Sequence, residues 1–221
     1  MLQPAIADAT MRVCLRRIPG SEANPTRGIQ RPKFDNRRQR FLSSEEAGRL
    51  LAAATNSLNV QLRPLAELLL LTGARLSELT HAKWTEIDLE SRSWHIPITK
   101  TSKSRYVPLP KAAVDIMEKL PRFDGCLWLI PNPETGKPFV TIKHSWQKAR
   151  RDAGLPGLRL HDLRHTAASQ MANSGVPLFT IATLLGHADL KSSSRYSHLA
   201  DSTLLSAIEA GASKLSSQWT N

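Results

Sequence analysis

The stretch LRLHDLRHTAAS, residues 158–169, carries two histidines and two arginines around the start of a helix that the hydrophobic pattern predicts over residues 162–174. His161 and Arg164 are three residues apart, and on a helix this spacing brings two side chains to the same face. A single arginine or histidine at a helix start is most often a solvated charge or a packing partner. The meaning of this stretch therefore depends on what the rest of the chain adds to it.

Four more polar residues stand at the ends of predicted elements on either side of this stretch. Arg75 lies at a turn between two helices, and Lys100 lies on a polar turn between two strands. Downstream, His187 follows the segment Leu-Leu-Gly, and Tyr196 comes nine residues later. Function tends to be carried by loops and element ends on a rigid scaffold. Two arginines, a lysine, two histidines and a tyrosine in these contexts have no ordinary packing explanation.

The hydrophobic pattern predicts a mainly helical α+β domain with one small antiparallel sheet. A capping box of Ser43 and Glu46 marks the first helix. Two strands joined by an exposed polar turn are predicted within residues 94–109, and a short buried strand over 126–130. The other predicted helices cover residues 60–71, 76–82, 111–120, 141–153, 162–174, 178–185 and 202–215, three of them ending at Gly154, Gly175 and Gly186 as C-caps.

The charge balance favours a polyanionic partner, with nucleic acid as the first candidate. The chain of 221 residues carries a net charge of +11, a level typical of proteins that bind nucleic acid. Residues 1–40 are basic and rich in Pro and Gly, which predicts an arm or linker before a folded domain over 41–221. The predicted DNA contacts are basic residues of the arm and of the hairpin, namely Arg37, Arg38, Arg40, Lys103 and Arg105.

The cysteine spacing and the length of the apolar runs indicate the cellular compartment. Cys14 and Cys126 are far apart and neither belongs to a CxxC pair, so neither a disulfide framework nor a structural zinc site is expected. The apolar runs are far too short for a membrane span, and the N-terminus has no signal-peptide pattern. We therefore expect a cytoplasmic protein without a membrane partner.

Taken together, these motifs resemble the tyrosine recombinase family, also called the phage integrase or lambda-integrase family. Arg75 lies in TGARLSEL, which looks like the family's first box, and Lys100 lies in ITKTSKSRYVPLP, which is similar to its β-hairpin. LRLHDLRHTAAS, residues 158–169, matches the second box, and LLGHADLKSSSRYSHL matches the block that contains the nucleophilic tyrosine. NPTRGI, residues 24–29, looks like the linker into this domain. The resemblance covers about residues 24–200, and it is specific because the boxes occur together.

The resemblance implies the tyrosine recombinase catalytic fold and a site-specific DNA recombinase. Tyr196 would be the nucleophile and would form a 3′-phosphotyrosyl intermediate without ATP, metal or another cofactor. The phosphate would be bound by Arg75 and Arg164, the pocket completed by His161 and His187, and the leaving group protonated by Lys100, with Lys103 as the rival acid. Glu78 would support Arg75 from behind.

The spacing of His161 and His165 also has to be weighed as a metal site. Two histidines four apart on a helix can bind zinc, but the residues between them lack the glutamate of a metalloprotease motif. Arg164, which lies between them, would also repel a cation. No metal is therefore predicted, and His165 is expected to be a core residue or to support the site from behind.

The chain departs from the family pattern at its beginning. Full-length members have an N-terminal DNA-clamping domain, whereas here about 40 residues precede the catalytic domain, and residues 1–23 are compatible with the last helix of such a domain. We expect either a piece of a longer protein or a short gene product, which alone binds core DNA weakly and recombines poorly. The expected partner is double-stranded DNA, with a monomer when free and a homotetramer on DNA. The C-terminal segment, residues 201–219, is expected to pack on its own domain or on a neighbouring subunit.

Two rival functions remain at this level. A type IB topoisomerase-like enzyme would use the same chemistry to relax DNA, although the Leu-Leu-Gly-His block and NPTRGI favour the integrase branch. A non-catalytic DNA-binding remnant of a prophage would have no reason to keep all six predicted site residues.

Overall fold

The computed structural model of the chain describes residues 40–97 and 104–186, which belong to the compact unit Gln39–Asn221. This part of the chain confirms the mainly helical α+β class, with seven α-helices, one 3-10 helix (Trp84–Glu86) and a three-stranded sheet. The helices are α1 (Ser44–Thr55), α2 (Leu62–Thr72), α3 (Leu76–Thr80), α4 (Lys111–Glu118), α5 (Lys143–Asp152), α6 (Leu160–Asn173) and α7 (Leu178–Leu185). The strands are β1 (Ile87–Asp88), β2 (Ser93–Ile96) and β3 (Arg105–Pro108).

The sheet is antiparallel in the order β1-β2-β3, so the predicted pair of strands is confirmed and the short strand β1 is added. Trp94 pairs with Val107, and Ile96 pairs with Arg105. Trp94, Ile96 and Val107 are buried at 2% exposure or less, which marks this face of the sheet as the one against the core. Because side chains alternate along a strand, Arg105 lies on the same face as Val107.

The strand predicted over residues 126–130 is wrong. Only one isolated bridge forms there, between Lys83 and Trp128. Leu127 is 58% exposed, whereas Leu129 and Ile130 are fully buried. The apolar run is thus an irregular segment that buries its end in the core, a use that periodicity cannot distinguish from a short strand.

The capping box at the start of the domain is confirmed. Ser43 Oγ accepts from the Glu46 N–H at 3.1 Å, and a Glu46 carboxylate oxygen accepts from the Ser43 N–H at 3.1 Å. One residue earlier, the Leu42 N–H donates to Thr166 Oγ1 at 2.9 Å, a buried hydrogen bond. Leu42 is itself 1% exposed, so the first residues of the domain are anchored to α6.

Helix α6 begins two residues earlier than the sequence pattern predicts. The Asp162 carboxylate accepts from the Arg159 N–H at 2.8 Å, so Arg159 is the N-cap residue and Asp162 is the third residue of the helix. His161 therefore lies in the first turn rather than before it. The predicted C-cap glycines are found at three helix ends. Gly186 is the C-cap residue of α7, with a left-handed φ of 65°, and Gly154 and Gly175 also have positive φ just after α5 and α6.

No helix in the described residues is long and apolar enough to cross a membrane. Of the predicted basic arm over residues 1–40, all but Arg40 lie outside those residues, as does the predicted helix over 202–215. The division of the chain near residue 40 stays a prediction.

Candidate active site

Arg164 joins the C-terminal ends of two helices. Its Nη1 donates to the Gly73 carbonyl after α2 at 2.8 Å, and its Nη2 donates to the Leu185 carbonyl of α7 at 2.6 Å. The residue is only 4% exposed. A helix C-terminus carries partial negative charge and unpaired carbonyls, which stabilise a nearby cation. This explains how the fold accommodates a guanidinium at such a depth.

The close approach of these two helix ends depends on Gly73. Its φ is 64°, and a Cβ at this position would lie 2.6 Å from Leu185 Cδ2. A side chain here would have to displace the buried Leu185 side chain, and the left-handed φ itself disfavours any residue other than glycine. Gly73 thus lets the ends of α2 and α7 lie close together at the site.

Arg75 is the N-cap residue of α3, and its guanidinium reaches the same turn as Arg164 does. Arg75 Nη2 donates to the Gly186 carbonyl at 2.9 Å, and Nη1 donates to a Glu78 carboxylate oxygen at 2.7 Å. The side chain of Arg75 is 26% exposed, against 2% for that of Glu78. Glu78 thus contacts Arg75 from the protein interior and leaves one side of the guanidinium open to solvent.

Arg105, predicted as a DNA contact on the hairpin, points into the protein instead. Its two terminal nitrogens donate to the two oxygens of Glu78 at 2.9 and 2.8 Å, and its Nε donates to the Leu184 carbonyl at 3.1 Å. Its side chain is 9% exposed. The strand alternation with Val107 was the signal in the sequence that could have placed Arg105 on the inner face.

Three consecutive carbonyls at the end of α7 therefore accept from three arginines that come from three different elements. Leu184 is bound by Arg105, Leu185 by Arg164 and Gly186 by Arg75. We call Arg75, Arg105, Arg164 and Glu78 the arginine cluster. Arg75 and Arg105 share the Glu78 carboxylate, and Arg164 is bound to backbone carbonyls. The cluster thus contains three guanidiniums and one carboxylate, an excess of positive charge that suits an anion such as a phosphate.

The pKa of the Glu78 carboxyl lies far below its usual value, so the group is ionised even in acid. Burial would raise the pKa of this carboxyl, but hydrogen bonds from Arg105 and from the Arg75 N–H, together with the charge of Arg105, lower it to about 2. The ordinary value is 4.5. A group whose pKa is lower in the folded state contributes stability above its unfolded pKa, and this contribution is lost as the pH falls toward the folded value.

We predict that Glu78 makes the protein acid-sensitive between pH 4.5 and about 2. Between pH 6 and pH 3 the ionised carboxylate should lose about 2 kcal/mol of its contribution to the free energy of unfolding. The measurement is urea unfolding at both pH values for the protein and for Glu78→Gln, which cannot titrate at this position. The difference in free energy of unfolding between the protein and Glu78→Gln should be smaller at pH 3 than at pH 6. An equal change in free energy of unfolding with pH in both proteins would contradict the prediction.

His161 and His165 lie one turn apart on α6, with Arg164 between them in sequence. Their rings meet edge to face with centroids 4.6 Å apart. His161 is exposed and His165 is half-buried. The structure thus places an exposed imidazole on the helix that carries Arg164, with His165 packed beside it.

The other predicted site residues have different outcomes. Arg40 is described, and its guanidinium binds Glu46 with two hydrogen bonds of 3.0 and 2.7 Å. Outside the described residues lie Arg37, Arg38, Lys100, Lys103, His187 and Tyr196. Of the six predicted catalytic residues, the structure therefore brings together Arg75 and Arg164 and places His161 on the helix of Arg164.

Comparison with solved structures defines the class of this fold. The catalytic domain of bacteriophage HP1 integrase superposes with a TM-score of 0.61 at 31% identity, covering 76% of this chain and 93% of that one. A crystal structure of XerA recombinase gives a TM-score of 0.63 at 26% identity, with 82% and 67% covered. The fold is that of the tyrosine recombinase catalytic domains.

The sequence comparisons agree. The model of the phage integrase family matches residues 40–203. The chain is 31% identical over 189 residues to the shufflon-specific DNA recombinase of Escherichia coli, covering 85% of this chain and 47% of that protein. It is 32% identical over 192 residues to tyrosine recombinase XerC of Staphylococcus saprophyticus, covering 82% and 64%. This chain belongs to the phage integrase family, and it spans about half to two thirds of the length of these two relatives.

Proposed function

We propose that this chain is the catalytic domain of a site-specific DNA recombinase, which cleaves and rejoins DNA through a phosphotyrosyl bond on Tyr196. The observation that carries the proposal is the pair of adjacent carbonyls, Leu185 and Gly186, which are bound by Arg164 and Arg75. Two residues 89 positions apart in the sequence thereby place their guanidiniums at one turn. The relatives named as DNA recombinases support DNA as the substrate.

The chemistry needs two guanidiniums because a phosphodiester already carries a negative charge. Attack by an oxygen nucleophile gives a pentavalent transition state with more charge on the non-bridging oxygens. A guanidinium stays charged at all relevant pH values and offers paired donors in a fixed plane. Each well-placed donor aimed at developing charge contributes about 3–4 kcal/mol in comparable sites. Arg75 and Arg164 are proposed to fill this role.

The proton transfers are assigned to residues that the family resemblance implies for the site. The Tyr196 oxygen loses its proton as it bonds to phosphorus, and the 5′ oxygen of the DNA leaves and takes up a proton. We assign that proton to Lys100, with Lys103 as the rival, and the role of base or phosphate donor to His161, with His187 completing the pocket. General acid catalysis of this kind is worth about 10²–10⁴-fold.

Covalent attachment removes the need for an external energy source. The phosphotyrosyl ester conserves the energy of the DNA bond, so a 5′ hydroxyl of another strand can attack it and release Tyr196. The proposed reaction therefore uses no ATP, and the resemblance to the family implies no metal or other cofactor. Every bond broken in the first step is replaced by an equivalent bond in the second.

The position of the nucleophile is compatible with this cluster. Tyr196 comes ten residues after Gly186, whose carbonyl binds Arg75. Ten residues can span at most about 35 Å. Tyr196 therefore lies within about 35 Å of the Gly186 turn of its own subunit, a reach compatible with attack on a phosphate bound there or in a neighbouring subunit.

The assembly proposed from the family is a monomer when free and a homotetramer on double-stranded DNA. Such an assembly holds two DNA sites side by side, which strand exchange requires. Basic residues of the arm and hairpin, Arg37, Arg38, Arg40 and Lys103, are the proposed contacts to the DNA backbone. Arg105 leaves this set because both of its terminal nitrogens are bound to the Glu78 carboxylate. The proposed compartment is the cytoplasm, where the DNA substrate is accessible.

The test is a covalent trapping assay with a pool of nicked duplexes of randomised sequence. Cleavage next to a nick releases a short strand, so the covalent complex accumulates even if the chain binds DNA weakly. We expect a protein–DNA adduct that survives denaturant and yields a defined sequence when its DNA is read. Absence of any adduct across the pool would overturn the proposed function.

The same adduct separates the recombinase from a topoisomerase-like enzyme. A recombinase transfers the trapped strand to a second duplex of matching sequence, whereas a topoisomerase reseals its own duplex and relaxes supercoils. Relaxation of a plasmid without transfer between duplexes would favour the topoisomerase. DNA binding without any adduct would favour the non-catalytic remnant.

A further inference from the structure

Arg105 binds two elements other than its own strand. From β3 its terminal nitrogens reach Glu78 on α3, and its Nε reaches the Leu184 carbonyl near the end of α7. Its side chain is 9% exposed and that of Glu78 is 2% exposed, so this ion pair is largely removed from water. A guanidinium whose two terminal nitrogens are both bound to a carboxylate is poorly placed to contact a polyanion and well placed to fix its neighbours.

Each oxygen of the Glu78 carboxylate accepts one hydrogen bond from Arg75 and one from Arg105. One oxygen accepts from Arg105 Nη1 at 2.9 Å and from Arg75 Nη1 at 2.7 Å. The other accepts from Arg105 Nη2 at 2.8 Å and from the Arg75 N–H at 2.8 Å. Because the bidentate pair with Arg105 fixes the plane of the carboxylate, Arg105 also fixes the direction in which Glu78 holds the guanidinium of Arg75.

The same side chain shapes the turn before His187. Gly186 has a φ of 65°, and a Cβ there would lie 2.7–2.9 Å from three atoms of the Arg105 guanidinium. The Gly186 carbonyl is the one bound by Arg75. Arg105 thus packs against the backbone of a turn whose carbonyl holds Arg75, in addition to holding Glu78.

We propose that Arg105 is a positioning residue, which acts on the DNA phosphate only through Arg75. It orients Glu78, and with the Gly186 turn this sets the guanidinium of Arg75 for the scissile phosphate. The inference deepens the proposed function and rests on it. It assigns the inner face of β3 a part in catalysis, in place of the DNA contact that the sequence analysis predicted for Arg105.

The test compares Arg105→Met and Arg105→Lys on two substrates of the trapped sequence. One has an ordinary scissile phosphate, and the other has a methylphosphonate, which lacks one negative oxygen and so depends less on a guanidinium. On the phosphate we expect Arg105→Met to slow adduct formation about 10–100-fold, the range of one misplaced donor. On the methylphosphonate the loss of rate in Arg105→Met should shrink to a few-fold, and the loss in Arg75→Ala should shrink in the same way. Arg105→Lys should recover part of the rate on the phosphate.

The control is Arg63→Met, which removes the same charge from an exposed pair with Glu67 on α2. It should leave both rates near those of the unchanged chain. A loss in Arg105→Met that is equal on the two substrates would show a general structural defect and would overturn the proposal. So would an unchanged rate on the phosphate.

A measurement without DNA separates this inference from the proposed function. The Nε–H signal of Arg75 in an NMR spectrum, assigned with Arg75→Lys, should shift in Arg105→Met and stay in place in Arg63→Met. If the unchanged chain forms no adduct, the proposed function fails while this signal still tests the positioning. An unmoved Arg75 signal in Arg105→Met would overturn the positioning role.

A second pair of variants reaches the same contact from the other side. Gly186→Ala places a methyl group against the Arg105 guanidinium, whereas Gly154→Ala has a similar φ of 73° and, among the described residues, no heavy atom within 4 Å of the new Cβ. Both carry the strain of a left-handed alanine. We expect only Gly186→Ala to shift the Arg75 signal and to show the substrate-dependent loss, and equal behaviour of the two variants would count against the proposal.

Discussion

Tyr196→Phe is expected to eliminate the covalent protein–DNA adduct in the trapping assay, with DNA binding within about threefold of the unchanged chain. Phenylalanine keeps the ring and its packing but has no oxygen, so no bond to phosphorus can form. The adduct should fall below detection rather than to a reduced level. The measurement is a denaturing gel with end-labelled duplex, together with a binding titration on the same DNA.

The chain provides a matched control for this experiment. It has two tyrosines, and the other is Tyr106 on β3, which is 69% exposed and lies against the His95 ring with centroids 4.8 Å apart. Tyr106→Phe removes the same hydroxyl from a different place and should leave the adduct intact. An adduct that persists in Tyr196→Phe, or one that disappears in Tyr106→Phe, would remove Tyr196 from the proposed role.

Arg164→Ala is expected to have the largest effect on stability among the site variants. It leaves the carbonyls of Gly73 and Leu185 without their guanidinium donors at a buried position. Each unsatisfied buried group costs about 1–3 kcal/mol, so the free energy of unfolding should fall by roughly 2–5 kcal/mol. Denaturant unfolding measures this directly, and Arg151→Ala on the exposed surface of α5 should change it by only about 0.5 kcal/mol.

The catalytic effect of Arg164 is tested with the gentler variant Arg164→Lys. Lysine keeps the positive charge but cannot present two donors in one plane to two carbonyls and a phosphate. We expect adduct formation to slow about 10²–10³-fold under conditions in which the variant stays folded. A rate within threefold of the unchanged chain would show that charge alone is sufficient at this position.

The two arginine effects also differ in kind. Arg164 joins two helix ends inside the protein, so its loss affects folding and catalysis together. Arg75 has a more exposed guanidinium, and its partners Glu78 and Gly186 are themselves held by other contacts. Substitution at Arg75 is therefore expected to change the reaction more than the fold.

Local patterns in the sequence were sufficient for the elements whose signals are local. The Ser43–Glu46 box is a contact over three residues, and Gly186 ends its helix through its own backbone, so both could be predicted without a partner. The segment 126–130 could not, because an apolar run does not show whether its backbone will find a neighbouring strand. Strand β1 has two residues, too few for any periodicity to appear.

The sequence by itself determined the family, the helical class and the choice of Arg75 and Arg164, because each motif is short and its residues are adjacent. It did not show what those arginines contact. Only the tertiary structure brought Arg75, Arg105 and Arg164 to three consecutive carbonyls at the end of α7 and turned Arg105 inward to Glu78. The physical reason is that these partners lie between 21 and 111 residues apart in the chain, and such pairs form only when helices pack and bury their charges together.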